Sequence, residues 1–276
     1  MKSRESTVVI LYHKPANTIT SHSTMDEAPN TASGRRRTVY EDIYTMNGYV
    51  GMEHDKITLV NVDTTTFEEV TGIQSKLHAI GRLDAETTGA LLLTNDGALV
   101  HRITNPTSND DDDSNSDRAL VQKTYEAIIM GHHTLPDKST TNSTNPLWTL
   151  ISEGVALPAK YGGPTRPVDN LSILSHPSRT TTRVSITISE GKNRQIRRMI
   201  HAIGSGVMKL HRVSVGGITL GGLREGEWRL LSEDEVLDGL GYQCRYVDQD
   251  VDKGNSYAKR RSSQAVRKPR KKRRRS

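Results

Sequence analysis

Gly81-Arg82-Leu83-Asp84 carries the clearest chemical potential in the chain, because Ala85-Glu86-Thr87-Thr88-Gly89 and the apolar run Ala90-Leu91-Leu92-Leu93-Thr94 follow it directly. An Arg and an Asp thus sit in a polar loop that feeds a strand of buried character. A rigid element behind a polar loop holds a carboxylate at a fixed place in a cleft. A carboxylate so held can act as nucleophile or general base. Alone, the four residues read as a turn with an exposed ion pair; the longer string makes the chemistry specific. A second cluster is Glu190-Gly191-Lys192-Asn193-Arg194-Gln195-Ile196-Arg197-Arg198-Met199. Ile196, Met199, Ile200 and Ile203 are spaced i, i+3, i+4, i+7, which predicts one apolar helix face. Asn193 is the expected N-cap and Gly204 the expected stop. Lys192, Arg194, Arg197 and Arg198 lie off that face, beside the free N–H groups of a helix start, where a phosphate is favoured. A surface helix with ordinary solubilising cations is the alternative on those residues alone.

Other elements must position these groups. Residues 7 to 12 read as a buried strand from their β-branched and aromatic content. Residues 16 to 37 read as a surface loop whose Arg35-Arg36-Arg37 either touches phosphate or is simply solvated. A short helix is expected from Thr38 to Ile43, a strand from Lys56 to Val62, and a helix over Leu99 to Ile103 after the Asn95-Asp96-Gly97 turn. Alternating Val, Ile and Thr predict strands over Lys123 to Met130 and Thr182 to Ile188. Trp228 reads as core. His132-His133 lacks a third ligand and reads as a loop feature.

The net charge of +6 belongs to the end of the chain. Residues 253 to 276 hold 12 of the 38 basic side chains and no acid, so the other 252 residues carry 26 basic against 32 acidic, a net of −6. Local clusters, not overall charge, must therefore carry any case for a polyanionic partner. Hydrophobic residues are 33% and mean hydropathy is −0.61, which implies that part of the chain is not packed core. Cys244 stands alone, so an intramolecular disulfide and a Cys-rich zinc site are excluded. No apolar run approaches the roughly 20 residues that span a bilayer. The expectation is a soluble intracellular protein.

The Gly81–Gly97 string resembles the pseudouridine synthases, in particular the RsuA-like family of ribosomal RNA enzymes. Ile10-Leu11-Tyr12-His13-Lys14-Pro15 is similar to that family's opening strand and Lys-Pro turn, with His13 where Asn is usual. Lys123-Thr124-Tyr125-Glu126-Ala127 is similar to its K-x-Y segment. The Glu190–Met199 cluster is similar to its E-G-x-N-R-Q-[IV]-R-R-M helix, and Trp228-Arg229-Leu230 to its closing strand. The resemblance covers roughly residues 7 to 236. It implies an α+β fold with a central mixed, mostly antiparallel sheet flanked by helices and loops, and an active-site cleft across the sheet. It implies the isomerisation of a uridine, in ribosomal RNA, to pseudouridine. Asp84 takes the catalytic carboxylate role, Tyr125 the pocket tyrosine and Arg197 the ion-pair partner of Asp84. Arg82, Lys192, Asn193, Arg194 and Arg198 are the implied RNA contacts. The reaction imports no group and oxidises nothing, so neither cofactor nor metal is expected.

The expected organisation is an extension over 1–6, a catalytic domain over 7–245 and a disordered basic tail over 246–276. Disordered insertions are expected near 107–118 and 137–146. The family often has a small RNA-binding domain before the first core strand, for which this sequence leaves no room. The partner is expected to be RNA, not a membrane, and the protein a monomer in nucleus, nucleolus, cytoplasm or an organelle. The tail reads as a nuclear address or an RNA clamp. Two alternatives remain: an RNA-binding assembly factor without turnover, and a glycoside or nucleoside hydrolase, which usually needs a second carboxylate, for which Glu86 or Asp96 could be nominated.

Overall fold

The computed structural model describes residues 4–21, 37–53, 56–59, 66–105, 120–136 and 144–248. The Arg35-Arg36 pair, the 107–118 segment, most of 137–146 and nearly all of the basic tail lie outside the described residues. In chain order the elements are β1 (Arg4–Ser6), β2 (Val9–Lys14), α1 (Val39–Tyr44), β3 (Val50–Glu53), β4 (Lys56–Leu59), α2 (Phe67–Thr71), β5 (His78–Ala79), β6 (Thr88–Thr94) and α3 (Gly97–Thr104). They continue with β7 (Lys123–Met130), α4 (Pro146–Ser152), β8 (Asn170–Ser178), β9 (Thr181–Ile188), α5 (Gln195–Ala202), β10 (Val207–Val215), β11 (Ile218–Thr219), β12 (Trp228–Leu230), α6 (Glu233–Leu240) and β13 (Tyr246–Asp248).

The central sheet runs β12-β2-β6-β10-β7-β9-β8, with β5 added beside β6 and β11 beside β10. Every pairing is antiparallel except β6 with β10. This is the mixed, mostly antiparallel α+β sheet expected. Its faces follow from the two-residue period of a strand. Ile10 and Tyr12 of β2 join Leu91 and Leu93 of β6 in one core. The intervening Val9, Leu11, Ala90 and Leu92 join a second core on the opposite face. The first core is covered by α1, α2, α4 and α5, the second by α3 and α6. A strand apolar at every position is thus one buried on both sides.

Helix starts follow side-chain chemistry. Thr38 caps α1 and Glu41 closes the reciprocal capping box. Asp96 caps α3, so the Asn-Asp-Gly turn ends β6 and starts the next helix with one side chain. Trp228 is fully buried, as expected for core.

The chain ends depart from the expected boundaries. β1 pairs with β13 in a separate two-stranded ribbon, Arg4 opposite Asp248 and Ser6 opposite Tyr246. The limits at 6/7 and 245/246 coincide with the inner ends of these two strands, so residues 246–248, expected in the tail, form a strand paired with the N-terminal extension. The buried Asp96 anchors this ribbon, accepting hydrogen bonds from Thr7 Oγ1 at 3.0 Å, Tyr242 Oη at 2.5 Å and Arg245 Nη2 at 3.0 Å. Among the described residues no helix is long and apolar enough to cross a membrane.

Candidate active site

The loop bearing Asp84 is held from beneath. Lys14, fully buried at the end of β2, donates from Nζ to the carbonyls of Pro15 (2.9 Å), Ala85 (3.1 Å) and Thr87 (2.9 Å). Asn17 N–H donates to Ala85 O and Thr20 Oγ1 to Leu83 O. Leu83 is itself buried in the larger core. Thr87 N–H closes a turn onto Asp84 O at 3.0 Å. One ammonium thus ties together three carbonyls, and Ala85 O accepts from the Asn17 N–H as well. Burial pulls the Lys14 pKa down to about 8, against the pull of Glu86 and Asp84.

The Asp84 carboxylate is partly exposed at the mouth of a cleft. Arg194 Nη1 donates to Oδ2 at 3.0 Å, and Arg197 Nε stands 3.7 Å from the same oxygen. Arg197 was expected as the ion-pair partner and Arg194 as an RNA contact; the closer guanidinium is that of Arg194. Its backbone explains the reach. Arg194 is the N-cap of α5 at φ 50°, a left-handed conformation uncommon for a residue with a Cβ. The expected Asn193 cap is therefore displaced by one residue, and Asn193 instead accepts from Arg198 at its carbonyl and at Oδ1. The turn before α5 is fixed by Gln195, which accepts from Lys192 N–H and donates to Glu190 Oε1. The predicted apolar face of α5 is buried through Ile196, Met199 and Ile200. Arg197 is more enclosed than Arg194; its Nη1 donates to Val207 O and its buried Nε has no hydrogen-bond partner among the described residues. Burial, then the charge of Arg194, lower its pKa, while Asp84 and Glu86 oppose the shift.

The cleft holds about 670 Å³ of space, open solvent included, and Tyr125 lies in its wall. Tyr125 is mostly buried, and its hydroxyl has no hydrogen-bond partner among the described residues. Arg82 and Lys192 are at the rim. Lys192 Nζ donates to the carbonyls of Gly163 and Pro164, so it braces a neighbouring loop. Arg198 lies over the Tyr161 ring, 3.2 Å from its centroid. Two buried cations, Lys123 and Arg212, also line the cleft and were not expected there. Of the nominated second carboxylates, Asp96 is consumed by the ribbon and Glu86 is exposed. His132 stacks on His176 with ring centroids 4.1 Å apart. No cluster of three metal-binding side chains occurs among the described residues.

A carboxylate on a braced loop, faced by two guanidiniums beside a cleft that Tyr125 lines, suits nucleophilic or general-base chemistry on a group seated there. The family model described as RNA pseudouridylate synthase matches residues 8–202. The chain belongs to that family. It is 32% identical over 202 residues to ribosomal large subunit pseudouridine synthase B of Bacillus subtilis, covering 73% of this chain and 71% of that protein. It is 35% identical over 162 residues to ribosomal small subunit pseudouridine synthase A of Escherichia coli K12. That match covers 58% of this chain and 58% of the relative, so the chain spans somewhat over half of such relatives. A crystal structure of a pseudouridylate synthase superposes with a TM-score of 0.53 at 28% identity, covering 85% of this chain and 74% of that one.

Proposed function

We propose that the protein is an RNA pseudouridine synthase that isomerises a uridine of ribosomal RNA, with the Asp84 carboxylate acting at the ribose. The observation that carries this reading is the placement of Asp84: a carboxylate fixed on a braced loop, charge-paired with Arg194, opening onto the Tyr125 cleft. The carboxylate either adds to C1′ or takes a ribose proton as N1–C1′ breaks. In both routes the bond pair leaves with uracil, the base turns, and C5 joins C1′. The Tyr125 ring stacks on the base and its free hydroxyl helps remove the C5 proton. Guanidiniums keep their charge at any working pH, so Arg194 and Arg197 favour the ionised carboxylate in a closed, RNA-filled site.

The target uridine must leave its stack to enter the cleft. Arg82, Lys192, Asn193, Arg194 and Arg198 then hold flanking phosphates and sugars, contacts that position the strand without reading its sequence. Arg194 serves both ends of this arrangement, since Asp84 already engages it. Asp84, Tyr125, Arg194 and Arg197 all come from one chain, which fits a monomer. The names of the relatives refer to the small and large ribosomal subunits, which supports ribosomal RNA as the substrate class.

The test is tritium release from RNA labelled at uridine C5, scored together with the products. Tritium in water with pseudouridine left in the chain supports isomerisation. Free uracil would identify a hydrolase, and binding without either would identify an assembly factor.

A further inference from the structure

Two buried cations line the cleft, and an open RNA site would not require them. Arg212, on β10, is 1% exposed, and Lys123, at the start of β7, is 5% exposed. Both line the same cleft as Asp84 and Tyr125. β10 runs between β6 and β7, and Arg212 is the residue opposite Tyr125 on one side and Gly89 on the other. Residues directly opposite on paired strands project from the same face, so Arg212 and Tyr125 project together. Gly89 has φ +110°, and a Cβ there would meet Arg212 O at 2.2 Å; this close strand contact fixes Arg212 at its root.

Their hydrogen bonding is incomplete. Arg212 Nε donates to Ala90 O at 2.6 Å, but its buried Nη2 has no partner among the described residues. Lys123 Nζ reaches only carbonyls, Val121 O at 3.2 Å and Ile103 O at 3.5 Å. Neither cation makes an ion pair among the described residues. Burying a charge without a counter-ion is costly, and side chains kept in that condition concentrate where function needs them. Burial and the nearby Arg212 charge pull the Lys123 pKa down to about 8, with Asp169 opposing.

The position of the charge selects its ligand. Phosphates reach the rim, where Arg82 is exposed. Only a group that enters the cleft can approach these buried cations, and in the isomerase reading, on which this inference rests, that group is the uracil. When N1–C1′ breaks, its electron pair goes to the base, and the uracilate anion spreads charge over N1, O2 and O4. That charge is absent from the bound uridine and is consumed when C5 bonds to C1′. A preorganised cation beside it stabilises the breaking bond more than the ground state, which is the requirement for catalysis.

We propose that Arg212 is a catalytic residue of this site: its buried guanidinium, supported by Lys123, contacts the uracil and stabilises the negative charge the base takes up as it leaves the ribose.

The test exploits leaving-group acidity. The probe is a short RNA hairpin whose uridine the wild-type protein converts, made also with 5-fluorouridine at that position. Fluorine stabilises the departing anion by itself, so the base depends less on the protein. Arg212→Met should slow single-turnover consumption of the uridine hairpin by about 100-fold, the scale for removing one charge-stabilising donor. The hairpin Kd should stay within about threefold. The loss on the fluorinated hairpin should be about tenfold smaller. Arg212→Lys retains the charge and should lose less on uridine, again with a smaller loss on the fluorinated RNA; it supplies the same comparison if Arg212→Met does not fold. Equal losses on both hairpins would overturn the proposal and leave Arg212 a structural residue. A wild-type protein that converts no uridine would instead defeat the isomerase reading itself.

Discussion

Asp84 and Arg194 meet at 3.0 Å although 110 positions separate them, and the contact depends on the left-handed backbone of Arg194 at the start of α5. Arg197, one helical turn on, lies farther from the same oxygen at 3.7 Å but is the more buried of the two. Distance and burial thus rank the pair oppositely. Coulomb interactions strengthen as water is excluded, and exposed pairs contribute little.

Arg197→Met should therefore cost more than Arg194→Met. We expect about 100-fold in single-turnover rate for Arg197. For Arg194 we expect a few-fold in rate, with a comparable weakening of RNA binding and a shallower salt dependence. Rate and Kd measured for both variants check the order; a larger rate loss at Arg194 would reverse it.

Gly89→Ala should fail for a backbone reason. The added Cβ would lie 2.2 Å from Arg212 O and 2.5 Å from Arg212 N, at φ +110°. β6 and β10 would have to part at Gly89–Arg212, one of the two paired positions of their parallel contact. A loss of about 3 kcal/mol or more is expected, from overpacking and strain together. Denaturant unfolding measures it, and a change under about 1 kcal/mol would contradict the close approach.

Lys14 ties stability to pH. Its pKa lies near 8 in the folded protein and at 10.5 when unperturbed. Between those values the unfolded chain binds more protons, so the Lys14 contribution to stability grows as pH rises and is lost as pH falls through about 8. Unfolding free energies at pH 8 and 10 should show this increment in the wild type and a smaller one in Lys14→Met. Removing the ammonium also takes the Lys14 hydrogen bond from Thr87 O and leaves Ala85 O with the Asn17 N–H alone, so activity should fall with stability. An unchanged pH increment would contradict the buried ammonium.

Asp96→Ala should release the chain ends. The buried carboxylate serves Thr7, Tyr242 and Arg245 and caps α3 through the Ala98 N–H. A loss of about 3–5 kcal/mol is expected when a buried charged partner is removed. Limited proteolysis should then cut near 241–248 in the variant and spare the wild type; equal cutting would assign the ribbon no anchor.

These residues also mark where the sequence stops being legible. β2, β6, β7 and β9 could be read because side-chain period and β-branching are local properties, and α5 because Ile196, Met199 and Ile200 recur at helical spacing. That Asp84 and Tyr125 face one cleft could be anticipated from motif resemblance, a long string for Asp84 and a short K-x-Y segment for Tyr125. The Arg194 contact was not, because it rests on one unusual φ and a partner in another loop. Lys14, Lys123 and Arg212 were missed as buried groups because charged side chains are ordinarily exposed; only the surrounding carbonyls and strand contacts reveal the exception. The β1–β13 ribbon has no apolar pattern, and its pairing joins opposite ends of the chain.

The most direct measurement is made on Asp84→Asn, which keeps shape and removes the charge. Pseudouridine formation and RNA binding should be followed on the same RNA. The account predicts that conversion is abolished while Kd changes by less than about threefold, since phosphate contacts dominate affinity. Conversion at the wild-type rate by Asp84→Asn would contradict it.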